Sequence, residues 1–241
     1  MEYAIFTNNL TKRYGNITAV DHLSLSAAEG EMIALLGVNG AGKTTTIRML
    51  TGLSKPTDGT AQILGHDVTK EADAVKKLVG ISTQDTAVAD NLTVEENLKF
   101  MAGIYLDKTH LKESVENAIR IFGLEEYRNT RSKHLSGGWK RKLSIAMAII
   151  GGPKVLFLDE PTLGLDVLAR RELWKIIGKL KESMTIVLTT HYMEEAESLA
   201  DRIAIMIDGR IVRLGTLREL EQETGKTGLE EVFVAVAEDA R

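Results

Sequence analysis

The sequence contains no cysteine, which rules out disulfides and thiol chemistry and is compatible with a reducing cytoplasm. Only three prolines are present and no stretch is of low complexity, so long linkers are not expected. No apolar run approaches the length of a membrane span, since the best, SIAMAII and VLFL, are core-sized. Any link to a membrane should therefore run through another protein. The opening MEYAIFTNNL lacks both the basic stretch and the apolar region of a signal peptide. A large charge of one sign is also missing. The formal net charge is -4, which gives no electrostatic reason to expect nucleic acid as a partner. Internal repeats at solenoid periods are absent too.

What is present is enough apolar material, 44% of 241 residues, for one large domain or a domain with an inserted lobe. YAIF, LSLSA, MIALLG, TAQILG and VGIST read as strands, with one helix starting near Lys43. From about Leu92 to Ile150 the pattern turns helical: VEENLKFMAGIY and LKESVENAIRIFG carry apolar residues at three- and four-residue spacing. Alternation then resumes, with VLFLD and TIVLTT as strands and LARRELWKIIGKL and MEEAESLA as helices. RIAIMI and RIVRLG flank Asp208-Gly209, a dipeptide favoured in two-residue hairpin turns. This order predicts an α/β core interrupted by a helical insertion. The expected division of the single domain 1–241 is a core of 1–90 and 151–224, a helical part of about 91–150, and a short tail of 225–241.

Gly37 to Thr44 fits G-x-x-x-x-G-K-[ST] and lies between a strand and a helix. Small residues there let several backbone N–H groups converge on one anion, and the helix adds its positive end. Gly37, Asn39, Gly40, Ala41, Gly42, Lys43, Thr44 and Thr45 are thus the expected phosphate contacts. Lys43 would reach the β- and γ-phosphates, and the Thr44 hydroxyl would help to hold Mg²⁺. VLFLDE ends an apolar strand in Asp159 and Glu160, at the edge where parallel sheets bind ligands. Asp159 would support the metal, and Glu160 would orient or deprotonate the attacking water. His191 closes TIVLTT at the same edge, which favours a place near the γ-phosphate over hydrogen-bonding filler. Gln84, closing VGISTQ, is a candidate for touching metal or water, although a neutral loop residue is the ordinary alternative. Tyr14 is the candidate for stacking on a base, with a half-buried core tyrosine as an equal alternative.

The ordered set Tyr14, GVNGAGKTT, Gln84, LSGG, VLFLDE, LGLD and His191 resembles the ATP-binding cassette (ABC) family over about residues 3–220. The resemblance implies a P-loop NTPase core of mostly parallel sheet, an N-terminal antiparallel β subdomain and the inserted helical subdomain. It implies ATP and Mg²⁺ as cofactors and two chains facing head to tail. Ser136, Gly137 and Gly138 would then close over the ATP held by the partner chain, identical or related. Asp166 would cross that interface, Glu160 would be the catalytic base, and Gln84 would lie by a separate membrane-spanning permease. The chain would work on the cytoplasmic face of the membrane, bound there through the permease. TTHYMEEAESLADRIAIMIDGRIV and LEEVF resemble ATPases of ABC-2-type exporters. Chromosome-maintenance relatives carry a long coiled coil between half-cassettes, but here Gln84 and Ser136 are only about fifty residues apart. A soluble ATPase of cofactor assembly and a nucleotide-regulated binding module are the remaining alternatives.

LSGGW departs from the family, which usually has glutamine where this chain has Trp139. With Ser136 as N-cap, S-G-G-Q is a capping box that tryptophan cannot complete, at a cost of about 0.5–1 kcal/mol. The indole is expected to pack on Leu143 instead, with ATP-driven dimerisation left intact. Lys140, Arg141 and Lys142 follow, either as a solvated basic turn or as cations facing the partner's ATP.

Overall fold

The structure is a computed structural model and describes residues 3–240. Its elements in chain order begin with β1 (Tyr3–Tyr14), β2 (Ile17–Leu23), β3 (Ser26–Ala28), β4 (Met32–Leu36) and α1 (Lys43–Leu50). Next come β5 (Asp58–Ile63), β6 (His66–Asp67), α2 (Ala72–Leu78) and β7 (Val79–Ser82). The helical stretch holds α3 (Val94–Tyr105), α4 (Lys108–Phe122) and α5 (Gly137–Ile149). The chain ends with β8 (Val155–Asp159), α6 (Val167–Leu180), β9 (Thr185–Thr190), α7 (Met193–Leu199), β10 (Arg202–Ile207), β11 (Arg210–Gly215), α8 (Leu217–Thr224) and α9 (Leu229–Asp239).

Two sheets result. β2, β1, β5 and β6 form an antiparallel sheet, with β3 also pairing to β1. The second has the order β11-β10-β4-β9-β8-β7 and is parallel except at β11. β4, β8 and β9 are buried along their whole length, as strands covered on both faces must be. Their side chains alternate between two cores. Met32, Ala34 and Leu36 point with Leu158 and Leu188 toward α3–α6, while Ile33, Leu35, Phe157 and Val187 share a cluster with α1 and the antiparallel sheet.

Local chemistry sets the element ends. Thr93 and Glu96 form a capping box at the start of α3, and the Asp107 carboxylate caps α4, which stops at Gly123 in the left-handed region. Asp208 and Gly209, with φ of 47° and 81°, make the tight β10–β11 turn that the dipeptide predicts. Four elements, β2, β6, α2 and α8, were not expected. Residues 225–241, expected only as a tail, contain α9, which buries Leu229, Val232 and Val236 in the main core.

Candidate active site

Because β4, β7, β8 and β9 run parallel, their carboxyl ends meet at one edge. Leu36 pairs with Thr190, Asp159 with Thr189 and Ser82 with Leu158. The loop after β4, Asp159-Glu160, His191 and Gln84 are thereby gathered from four distant stretches of chain. They surround a cavity of about 360 Å³ lined by residues 39–45 with Ala19, Gln84, Glu160, Leu163 and His191.

The loop is shaped by close approach. A Cβ on Gly42, whose φ is 98°, would lie 2.5 Å from the Ala19 carbonyl oxygen, and one on Gly37 would lie 2.5 Å from that of Met206. Neither position accepts a side chain. Helix α1 begins after Gly42 with no side-chain cap and no acid in its first turn, so its N–H groups stay available to an anion. Lys43 is buried and folds back over the loop: Nζ donates to the carbonyls of Gly37 (2.6 Å) and Val38 (3.2 Å) and lies 3.3 Å from Glu160 Oε1.

Glu160 sits at φ 48°, a left-handed conformation unusual for glutamate, held by its own N–H donating to the Thr189 hydroxyl (3.0 Å). Its second oxygen is 2.8 Å from His191 Nδ1. One buried carboxylate thus spans the ammonium of the loop and the imidazole at the end of β9. Asp159 Oδ1 accepts from the hydroxyls of Thr44 (3.0 Å) and Thr189 (2.6 Å). Thr189 is a site residue the sequence reading missed; its signal was the pair of threonines that follows the apolar IVL run of TIVLTT, just before His191.

The oxygen donors fit a small divalent cation. Thr44 and Asp159 already touch, Gln84 lines the same cavity, and no group of three acidic or histidine ligands occurs among the described residues. Such a sparse set suits Mg²⁺, which keeps water and substrate phosphates in its shell. Tyr14 ends β1 48% exposed, beneath Lys12 and outside the residues lining this cavity. It belongs to neither buried core cluster.

Ser136, Gly137 and Gly138 line a different cavity of about 410 Å³, together with Trp139, Lys142, Gly164, Leu165, Asp166, Leu168, Ala169 and Glu172. It shares no residue with the first. Ser136 occupies the N-cap of α5, but its hydroxyl makes no capping bond. Asp166 caps α6 by accepting from Leu168 and Ala169 N–H. Trp139 packs against the main core cluster, of which Leu143 is a fully buried member. The indole packs on Tyr127, 4.4 Å between centroids, and under Lys142 Nζ at 4.0 Å.

The basic run is not a solvated turn. Lys140 pairs with Asp90 and Lys142 with Glu172. Buried Arg141 donates to the carbonyls of Thr83 (2.7 Å) and Gln84 (2.5 Å). Ser144 and Ser82 add a hydroxyl pair at 3.0 Å, so α5 is fastened to the segment carrying Gln84.

A family model described as ABC transporter matches residues 20–163. The chain belongs to the ABC transporter family. This cassette is 47% identical over 208 residues to the human phospholipid-transporting ATPase ABCA3, covering 86% of this chain and 12% of that protein. It is 42% identical over 228 residues to the daunorubicin/doxorubicin resistance ATP-binding protein DrrA of Streptomyces peucetius, covering 94% and 69%. The cassette therefore spans a small part of ABCA3 and about two thirds of DrrA. Among solved structures it resembles an ATP-binding subunit of an ABC transporter, with a TM-score of 0.88, 29% identity and coverage of 97% and 99%. It also resembles a dimeric post-hydrolysis state of the ATP-binding cassette MJ0796 bound to ADP and Pi, with a TM-score of 0.79, 26% identity and coverage of 89% and 99%.

Proposed function

We propose that this cassette binds and hydrolyses ATP to power an exporter, working as a pair of cassettes beneath a separate membrane-spanning subunit. The observation that carries the proposal is the contact of one buried carboxylate, Glu160, with both Lys43 and His191 over a complete phosphate loop. In this reading the N–H groups of residues 39–45 bind the phosphates and Lys43 neutralises the γ-phosphate. Glu160 accepts a proton from the attacking water, and His191 holds Glu160 and reaches the γ-phosphate. Thr44, Asp159 and Gln84 would hold Mg²⁺, which supplies charge neutralisation across the phosphate oxygens when bound. Tyr14 is assigned to the base.

Several features support two chains. The cavity at Ser136–Gly138 is separate from the chain's own phosphate loop, so it suits the nucleotide of a partner. Beside Asp166, Val167 and Leu168 are exposed, Leu168 by 81%, as residues awaiting a protein contact would be. The outer face of α3 carries exposed Phe100, Ile104 and Tyr105, which favours a membrane-subunit contact on the helical part, residues 91–150. No helix among the described residues is long and apolar enough to cross a membrane. The names of ABCA3 and DrrA favour lipid or drug export over cofactor assembly.

The test has two arms. Purified chain should show Mg²⁺-dependent phosphate release that Lys43→Ala abolishes together with tight ATP binding; retained affinity in the variant would sink the loop assignment. Affinity capture from detergent extract should recover a multi-span membrane protein, and recovery of soluble partners alone would overturn the transport reading.

A further inference from the structure

Helix α7, only seven residues long and without a side-chain cap, begins two residues after His191 and carries a wholly buried acid, Glu195. The Oε1 of Glu195 accepts from the Thr162 hydroxyl at 2.8 Å and from the Trp174 indole N–H at 3.0 Å. Thr162 lies two residues beyond Glu160, inside the loop that runs to Asp166, and Trp174 lies on α6, the helix that Asp166 caps. No cation pairs with Glu195 among the described residues, and its Oε2 makes no hydrogen bond there. A buried acid without a counter-ion is costly and could be replaced by an apolar residue, so its presence calls for a job.

We propose that Glu195 is a positioning residue for ATP hydrolysis: its carboxyl locks the Glu160-to-Asp166 loop and α6 onto the helix that follows His191. Glu160 and His191 then stay in register although they come from different strand ends. Burial, reinforced by the nearby Glu160 charge, raises the Glu195 pKa, against the Thr162, Trp174 and Thr190 groups that favour ionisation. Arg141 is the cation whose field reaches it from α5, while Arg170, on the same face of α6, faces Glu194 and Tyr192. In the neutral form the O–H of Oε2 can donate to the Thr190 hydroxyl oxygen, which already accepts from Tyr192 N–H. Thr190 immediately precedes His191, so the lock reaches both halves of the catalytic pair.

The inference rests on the ATPase reading, and the experiment separates the two. Steady-state kinetics and equilibrium ATP binding are measured on the full chain and on Glu195→Gln, Glu195→Ala and Thr162→Val. Glutamine keeps an acceptor for Thr162 and Trp174 and a donor toward Thr190, so kcat should stay within about twofold of the parent. Alanine should lower kcat about 10- to 100-fold, with ATP affinity within about threefold, because the reacting groups drift while the phosphate loop is untouched. Thr162→Val, nearly isosteric, should lower kcat about 3- to 10-fold in the same pattern, and it decides the matter if the alanine variant fails to fold. An infrared band of a protonated carboxyl should be present in the parent and missing in Glu195→Gln. Parental kcat in Glu195→Ala, or glutamine as impaired as alanine, or ATP affinity falling in step with kcat, would each overturn the assignment. A parent chain without Glu160-dependent hydrolysis would overturn the ATPase reading and this inference together.

Discussion

Replacing Glu160 by glutamine should move binding and turnover in opposite directions. The Glu160 carboxylate and an incoming γ-phosphate compete for the same ammonium, since Lys43 Nζ is 3.3 Å from Oε1 and both side chains are buried. At that distance and an effective dielectric near 20, the gross attraction is about 5 kcal/mol. Hydration and the Gly37 and Val38 carbonyls that also hold Lys43 leave only part of it as a net barrier to nucleotide. A net of about 1.4 kcal/mol corresponds to a factor of about ten in affinity. Glu160→Gln keeps the shape and a hydrogen-bonding group for His191 but gives up the anion. We expect ATP to bind about tenfold tighter and turnover to fall about 10²–10⁴-fold through loss of the base. Calorimetric titration of ATP alongside phosphate release reads both effects on one preparation. Unchanged or weaker binding would refute the competition, and unchanged hydrolysis would refute Glu160 as the base.

Arg141→Met removes two charge-assisted hydrogen bonds to Thr83 and Gln84, residues exposed enough for water to take over their carbonyls. A loss of about 2 kcal/mol is expected, which lowers Tm by about 4–8 °C for a chain of this size; an unchanged melting curve would contradict the clamp. Glu195 gives a pH test of stability. Its pKa lies above the ordinary 4.5 in the folded chain, so the folded state holds a proton that the unfolded state has released. Stability is therefore lost as pH rises from 4.5 toward the folded value, by up to about 1.4 kcal/mol per pH unit, and Glu195→Gln should lack that slope. Parallel Tm curves for the two proteins between acid and mildly alkaline pH would refute the buried neutral acid. Trp139→Gln loses the Tyr127 and Lys142 ring contacts, worth about 1–2 kcal/mol, and should cost a few degrees of Tm while turnover stays within about threefold. A rise in turnover by orders of magnitude would mean that tryptophan cripples the site.

The parallel strands were legible because burial on both faces leaves an unbroken apolar run, as in VLFLD and TIVLTT, and because each run ends in a polar residue at the ligand edge. Helices α3 and α4 were legible from spacing, sharpened in the structure by Thr93 and Asp107 as caps. β2 was missed because ITAVDHL has no clean alternation; two bulges in its pairing with β1 break the period of two. β6 is two residues long and α2 buries only Val75, so neither has a pattern to find. In the site, phosphate-loop residues and Asp159-Glu160 could be singled out because they belong to local motifs. Thr189, Arg141 and Glu195 could not, because each acts across the chain: Thr189 toward Asp159 and Glu160, Arg141 toward Gln84, Glu195 toward Thr162 and Trp174. Such contacts depend on which strand ends become neighbours, and that is settled by the sheet order.

The same distinction explains the basic run after LSGG. Three cations at a helix start suggest a cationic grip on an anion, yet each already has a partner inside the chain: Lys140 with Asp90, Arg141 with the Thr83 and Gln84 carbonyls, Lys142 with Glu172 and the Trp139 ring. What Ser136, Gly137 and Gly138 can offer an incoming phosphate is then the unpaired N–H groups at the start of α5 and a hydroxyl that no capping bond engages. The cations serve the frame instead. Through Arg141 they bind α5 to the segment of Gln84, so one buried guanidinium joins the cavity at the phosphate loop to the helix that lines the Ser136–Gly138 cavity.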